Sequence, residues 1–298
     1  MRALKVLLCT GAAAIAAAPA ASAKVRDYWV ATTPAPTWNI VPNQRDAITG
    51  TTFAPADTLQ PTVVYRRYTR GWKRPLPGTG IPGPLIKARV GDRIRVHFKN
   101  LDTLWKQPHS MHFHGVDYRP ESDGAYIPGY SGPGGSVAPG KQFTYRLTVD
   151  PGSAGAWPYH DHSPSMSESI EGGIYGMLSI VGRKERRADR EFTVVLAPMG
   201  RFQTIAGRAF VGNTPVFRAR AGETVQWNVM AMGSEFHTFH VHGHKWRENG
   251  VGRDTRTIGP AESFRIRWRE DAPGTWLYHC HVEDHMGAGM IGTYRVAR

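Results

Sequence analysis

The chain repeats itself, and the repeat limits what it can fold into. "GPLIKARVGDRIRVHF" (83–98) matches "TPVFRARAGETVQWNV" (214–229), and "HSMHFHG" (109–115) matches "HTFHVHG" (237–243). "APGKQFTYRL" (138–147) matches "GPAESFRIRW" (259–268), and "AWPYHDH" (156–162) matches "TWLYHCH" (275–281). Four segments in the same order mean two copies of one structural unit. Inside each copy the segments are short and apolar at alternate positions, as in "RIRVHF", "QFTYRL", "TVQWNV" and "SFRIRW". Such alternation, punctuated by Gly and Pro, predicts strands and an all-β architecture of two tandem β-sandwiches or barrels. The charged stretch "RKERRADR" (183–190) reads as a solvated linker between domain 1 (24–182) and domain 2 (191–298). The Pro- and Thr-rich lead-in from Lys24 to Pro82 is expected to wrap domain 1 as an extra strand and loops.

The histidines are distributed just as unevenly. Of 13 His, all but His97 fall in four groups: 109/112/114, 160/162, 237/240/242/244 and 279/281/285. His97 reads as a structural strand residue. In a strand, residues i and i+2 share a face. "HFH", "HDH", "HVH" and "HCH" therefore each present two imidazoles side by side, eight in all. Imidazole suits copper, zinc and iron, and no carboxylate occupies these positions to make a non-haem iron facial triad.

The middle residue of each triplet must face the other way. Cys280 thus points away from His279 and His281. His285 follows in the same turn, and Met290 lies ten residues past the Cys. His237, three residues before the His240/His242 pair, can face the side that Cys280 faces. Two His, one Cys and a long axial Met make a trigonal blue-copper centre. Cys280 would then belong to one metal site while its chain neighbours belong to another. In domain 1, Asp161 stands where Cys280 stands, so that copy lacks the thiolate, although His109 remains at the place of His237.

Residues 1–23 read as an export signal: Arg2 and Lys5, an apolar stretch, then the small-residue site "ASA". No twin-Arg pair is present, so the Sec route to the periplasm or medium is expected. No later segment is apolar enough to span a bilayer. Of the two cysteines, Cys9 would leave with the signal, and Cys280 would remain with no disulfide partner. The formal charge is +13, or +11 without Arg2 and Lys5. The positive residues are scattered along strands and no nucleic-acid motif appears, so no nucleic-acid partner is expected.

The four motifs in this order resemble the multicopper oxidases, and the two-domain length resembles the small bacterial laccases. The resemblance implies Greek-key cupredoxin domains and four coppers per chain. Type 1 copper would sit on His237, Cys280, His285 and Met290. The type 2 ion would take His112 and His240. The type 3 pair would take His114, His160, His162, His242, His279 and His281. Asp123 matches an acidic residue placed near the type 2 copper, where it would relay protons. Tyr118 matches a small-laccase segment and would donate an electron to the cluster. His109 is expected as a vestige or a group behind the ligands, and His244 at the rim of the type 1 site. Each domain supplies half a ligand set, and a short linker makes it hard for one chain to join its own halves. A head-to-tail homotrimer would complete the clusters between chains.

The expected activity is one-electron oxidation of phenols or aromatic amines with reduction of O₂ to water. A cuprous or manganous oxidase is the rival within the same chemistry, though the 9 Met are dispersed rather than clustered. Copper nitrite reductases share the two-domain plan, but keep the type 1 Cys in the first domain and lack the four His pairs. An electron-transfer cupredoxin would leave eight paired imidazoles unexplained.

Overall fold

The computed structural model describes residues 23–78 and 80–298. Residues 1–22 of the expected export signal lie outside these. Among the described residues, no helix is long and apolar enough to cross a membrane. The described chain is built from strands, with a few helices of three to six residues.

The first half is a two-sheet sandwich. One sheet runs Thr62–Tyr68, Val25–Ala35, Arg93–Asn100, Gln142–Thr148, Asp117–Tyr118; the other runs Ile86–Arg89, Tyr175–Val181, Gly155–His160, His112–Phe113. The second half repeats the plan. Its sheets are Phe202–Ile205, Arg190–Met199, Thr224–Ala231, Ser263–Arg269 and Val216–Arg220, Ile291–Ala297, Gly274–Cys280, His237–Val241, Thr255–Ile258. In both, the first long strand runs parallel to its neighbour: Val25–Ala35 to Arg93–Asn100, and Arg190–Met199 to Thr224–Ala231.

The four segments chosen for their alternation all form strands, and the alternation does what it should. In Arg93–Asn100, Ile94, Val96 and Phe98 are buried while Arg95 and His97 face outward. His97 is structural, stacked on Trp29 at 4.5 Å and bonded to Asp27 at 2.8 Å. Two strands are buried on both faces because the two halves pack there. In Tyr175–Val181, Leu178 and Ile180 enter the first core, whereas Tyr175 and Met177 join a third core with Val195, Met199 and Met230. In Arg190–Met199, Phe192, Val194 and Leu196 enter the second core while Val195, Ala197 and Met199 join the third. Burial of each such aliphatic side chain contributes about 1.5–3 kcal/mol. Polar contacts fix the register of the halves: Lys87 pairs with Glu191, and Arg265 donates to the Ile180 carbonyl at 2.7 Å.

Two expectations need adjustment. The lead-in supplies two strands to the first sandwich, but the stretch between them crosses to the second half. There the Trp38 indole donates to the Gly207 carbonyl and Ile40 packs in the third core. The 183–190 stretch is not wholly solvated, since Glu185 turns inward to pair with Arg265 and Arg267.

The register places the motifs. His112 is the cross-strand partner of His160, and His240 of His279. The glycine after each pair is equally fixed. Gly115 and Gly243 both adopt φ +69°, and a Cβ there would lie 2.0 Å from the Trp157 ring and 2.6 Å from the Trp276 ring. Gly115→Ala should therefore lower unfolding stability in denaturant titration by about 2–4 kcal/mol, from left-handed strain plus overpacking. Gly71→Ala, at φ +70° with open space around it, should cost only the strain, about 1–2 kcal/mol. Equal losses at the two positions would show that the tryptophan contact is unimportant.

Candidate metal centres

In the second half, strand His237–Val241 and the end of strand Gly274–Cys280 bring His237 and Cys280 together. A short helix, Glu283–Gly287, carries His285 back to them. His237 Nδ1 and His285 Nδ1 are 3.0 Å apart, and Cys280 Sγ lies 3.8 and 3.6 Å from them. His237 and Cys280 are fully buried. The Thr238 N–H donates to the sulfur at 3.3 Å. Burial, and then the His285 ring, lower the His237 pKa to about 4, leaving a neutral imidazole. The fully buried Met290 accepts the Cys280 N–H on its carbonyl and donates its own N–H to the His285 carbonyl. Two imidazole nitrogens and a thiol converging in a dry pocket are a donor set that fits copper.

The histidine pairs form two matching four-member groups. In the first half, His114 Nε2 and His160 Nε2 are 3.3 Å apart, and the His112 ring lies 5.1–5.4 Å from those of His114, His160 and His162. In the second half, His242 Nε2 and His279 Nε2 are 3.0 Å apart, and His240 lies 5.1–5.6 Å from His242, His279 and His281. Backbone carbonyls fix which nitrogen faces inward. Nδ1 of His112 meets the Asp123 carbonyl at 2.8 Å, and Nδ1 of His240 meets that of Asp254 at 2.7 Å. His160 and His279 do the same with the carbonyls of Asp161 and Cys280. Each ring is left with Nε2 free for a metal, its tautomer set from behind. Burial, with neighbouring imidazoles, lowers His114 and His160 to about 4 and lowers His242 and His279 as well. Among the described residues no ring contact joins one group to the other. Each group by itself gathers imidazoles closely enough to hold a metal ion.

The position in the first half that matches the Cys280 centre holds different chemistry. Asp161 and His109 are fully buried and paired at 2.7 Å, and Asp102 approaches the other ring nitrogen at 3.3 Å. Burial alone would raise the Asp161 pKa, but the hydrogen bond and charge of His109 outweigh it and hold the carboxyl below its usual range. Two further replacements were not legible in the sequence. The Asp161 N–H donates to the Ile174 carbonyl and the Ile174 N–H to that of Ser169, repeating the Cys280–Met290–His285 bonds. Ser169 thus stands for His285 and Ile174 for Met290. Ser169 follows Asp161 by eight residues, whereas His285 follows Cys280 by five, and the insertion hides the match.

The remaining candidates fall close to these centres. The Tyr118 ring is 6.1 Å from that of His112, and burial together with the Asp123 carboxylate pushes its phenol up to about 12. Asp123 Oδ1 is 3.3 Å from His112 Nδ1. His244 is not at the rim of the Cys280 centre. It is buried, bonded to Glu270 at 3.0 Å and to the His242 carbonyl at 2.7 Å, among the rings of Trp268, Trp276 and Tyr294. The sequence pattern does not reveal Glu235, whose carboxylate meets His285 Nε2 at 3.2 Å. Loop geometry alone brings it there.

Comparison with known proteins agrees with this geometry. Two family models described as multicopper oxidase match residues 77–185 and 185–298, together running from residue 77 to the last residue. The chain belongs to the multicopper oxidase family. The human ferroxidase HEPHL1 is 29% identical over 87% of this chain and 28% of its own length; human ceruloplasmin is 28% identical over 78% and 26%. The chain thus spans little more than a quarter of these relatives. A multicopper oxidase crystal structure shares the fold at TM-score 0.66 and 23% identity, covering 92% of this chain and 88% of that one. A copper nitrite reductase from Nitrosomonas europaea does so at 0.68 and 18%, covering 93% and 94%.

The filled first-half position has a consequence for metal content. The copper-loaded protein should show one blue type 1 centre per chain by paramagnetic resonance and metal analysis. Two such signals would mean that Asp161, Ser169 and Ile174 do not close that position to copper.

Proposed function

We propose that this protein is a laccase-type oxidase with domains at 24–182 and 191–298, taking one electron at a time from phenols or aromatic amines and reducing O₂ to water. The observation that carries the reading is the placement of Cys280: its side chain belongs to the His237/His285 centre, and its chain neighbours His279 and His281 belong to the four-His group. Four coppers per chain fit the ligand supply, one at His237, Cys280, His285 and Met290, and three on the eight paired histidines. Bound copper would supply one-electron oxidation at the first site and O₂ reduction at the others.

The chain's own residues do the rest. Cys280 joins the two sites by a single covalent segment, so the distance between them is set by the strand and not by packing. Asp123 holds His112 from behind and, half-exposed, serves as the proton donor that O₂ reduction requires. Tyr118, next to both, is positioned to give an electron to the His112 group. The halves of the cluster come from different chains: a head-to-tail homotrimer pairs the His112/His114/His160/His162 group of one copy with the His240/His242/His279/His281 group of the next. That no ring contact joins the two groups among the described residues supports this. Export to the periplasm or medium accords with the amino-terminal pattern.

One observation favours the metal-ion oxidase reading as a second possibility. Glu235 places a carboxylate at the edge of His285, where a cationic donor would be attracted, and ferroxidases are among the relatives.

Oxygen uptake with a phenol should be lost in Cys280→Ser together with the blue absorption, while copper on the histidine groups remains. Wild-type oxidation by that variant would sink the assignment. Two inactive variants, one lacking His112 and His114 and one lacking His240 and His242, should regain activity when their dissociated chains are reassembled together. An active monomer in sedimentation would exclude the inter-chain cluster. Glu235→Gln should raise KM for a cationic amine by about 1.5- to 5-fold, the worth of an exposed ion pair, and leave a neutral phenol unchanged. A much larger loss with Fe²⁺ or Cu⁺ than with the amine would favour the metal-ion reading.

A further inference from the structure

The two halves hold their ligand strands by different means. In the second half, Cys280 Sγ accepts one backbone bond, from Thr238 at 3.3 Å, and makes no other anchoring contact apart from the two metal-facing imidazoles. In the first half, Asp161 makes a dense set. Its Oδ1 accepts the Ser110 N–H at 2.8 Å, the Ser110 hydroxyl at 3.2 Å and the Ser163 N–H at 3.1 Å. Its Oδ2 meets His109 at 2.7 Å and the Ser163 hydroxyl at 3.0 Å. The Ser110 hydroxyl then accepts the His162 N–H at 3.0 Å, and the Asp161 carbonyl fixes His160 at 2.9 Å. Tyr65 secures Ser110 from the core side through its carbonyl. The side chains of Asp161, His109, Ser110, Ser163 and Tyr65 are all buried. Ser110 lies two residues before His112, and Ser163 directly follows His162, so the carboxylate ties together both segments that carry the half-site.

We propose that Asp161 is a positioning residue: a metal-independent clamp that holds the first-half ligands in place, doing with a carboxylate what a thiolate-bound copper does in the second half. The proposal rests on the copper-cluster reading for its purpose, but not for its geometry. Bonds to a buried charge contribute more than neutral ones, and groups that orient metal ligands from behind commonly change metal affinity by about 10- to 100-fold when removed. In a copper-free chain Asp161 already fills the first-half pocket, whereas in the second half the Thr238 N–H rests on the Cys280 sulfur, the ligand strands themselves being held by backbone bonds such as that from the His281 N–H to the Thr238 carbonyl at 2.6 Å.

Amide hydrogen exchange on the copper-stripped full chain tests the clamp directly. Ser110, His162 and Ser163 should be protected without copper, and loading should slow them little, while Thr238 should slow by about tenfold or more on loading. Asp161→Asn should speed exchange at those three amides by about tenfold. In the loaded Asn variant the blue absorption of the second half should stay intact while the histidine groups bind copper about 10- to 100-fold more weakly and the type 2 resonance changes shape. A generally destabilising change would instead weaken both centres. If Asp161→Asn does not fold, Ser110→Ala carries the test, with faster exchange at His162 and an unchanged blue centre expected. Wild-type exchange and wild-type copper affinity in the folded variant would overturn the clamp, as would equal copper dependence of Ser110 and Thr238. A wild-type chain that takes up no copper on its paired histidines would refute the cluster reading instead, and the copper-free exchange rates would still decide for or against the clamp.

Discussion

Everything at these centres depends on the two-residue period of an extended strand. A strand that places His279 and His281 on one face must place Cys280 on the other. One triplet therefore serves two sites without any loop having to bring them together. The same geometry at His240 and His242 leaves His237, three residues earlier, on the Cys280 side, and the register His240↔His279 aligns the two strands. Duplication then repeats the arrangement at His112 and His160. Because a one-residue slip would exchange the faces, the buried apolar side chains that hold the register, such as Phe113, Phe239 and Tyr278, guard the ligand geometry as well as stability.

Divergence between the copies shows which parts of this plan are free to change. The outer framework is kept: parallel first strands, the left-handed glycines after each pair, and the tryptophans packed on them. The metal-facing histidine pairs are kept as well. What changes is the pocket behind them, where Cys280, His285 and Met290 give way to Asp161, Ser169 and Ile174. A buried carboxylate is costly unless it is paired and bonded, and His109 with the Ser110 and Ser163 groups supplies what is needed. His109 is thus the ring partner of the carboxylate that stands where Cys280 stands in the other copy, with both its nitrogens turned to Asp161 and Asp102.

Much of this was legible because it is periodic or local. Alternation identified strands such as Arg93–Asn100 and Ser263–Arg269, and the H-x-H spacing put His237 and Cys280 on one side and the paired histidines on the other. What escaped was whatever depends on insertions or on contacts distant in sequence. The three-residue difference in loop length concealed Ser169 and Ile174. The helix carrying His285 is too short to leave a period. Residues 38–60 carry no signal that they leave the first half to pack near Phe202 and Phe210. His244 looked like a rim residue because it adjoins a ligand motif, yet Glu270, twenty-six residues on, draws it inward.

The tautomers illustrate a division of labour between side chain and backbone. For a ring to offer Nε2 to a metal, its Nδ1 must carry the proton and give it to something. At His112, His160, His240 and His279 the acceptor is a main-chain carbonyl, those of Asp123, Asp161, Asp254 and Cys280. A carbonyl is present whatever the side chain, so the identity of these residues is free for other tasks. Cys280 and Asp161 use that freedom most fully. Each meets the preceding histidine through its carbonyl while its side chain faces the opposite pocket, one beside His237 and His285 and the other beside His109, Ser110 and Ser163. A change of side chain at this position therefore need not disturb the orientation of the adjacent histidine, and the two copies can differ here, Cys280 against Asp161, while their paired histidines keep the same form.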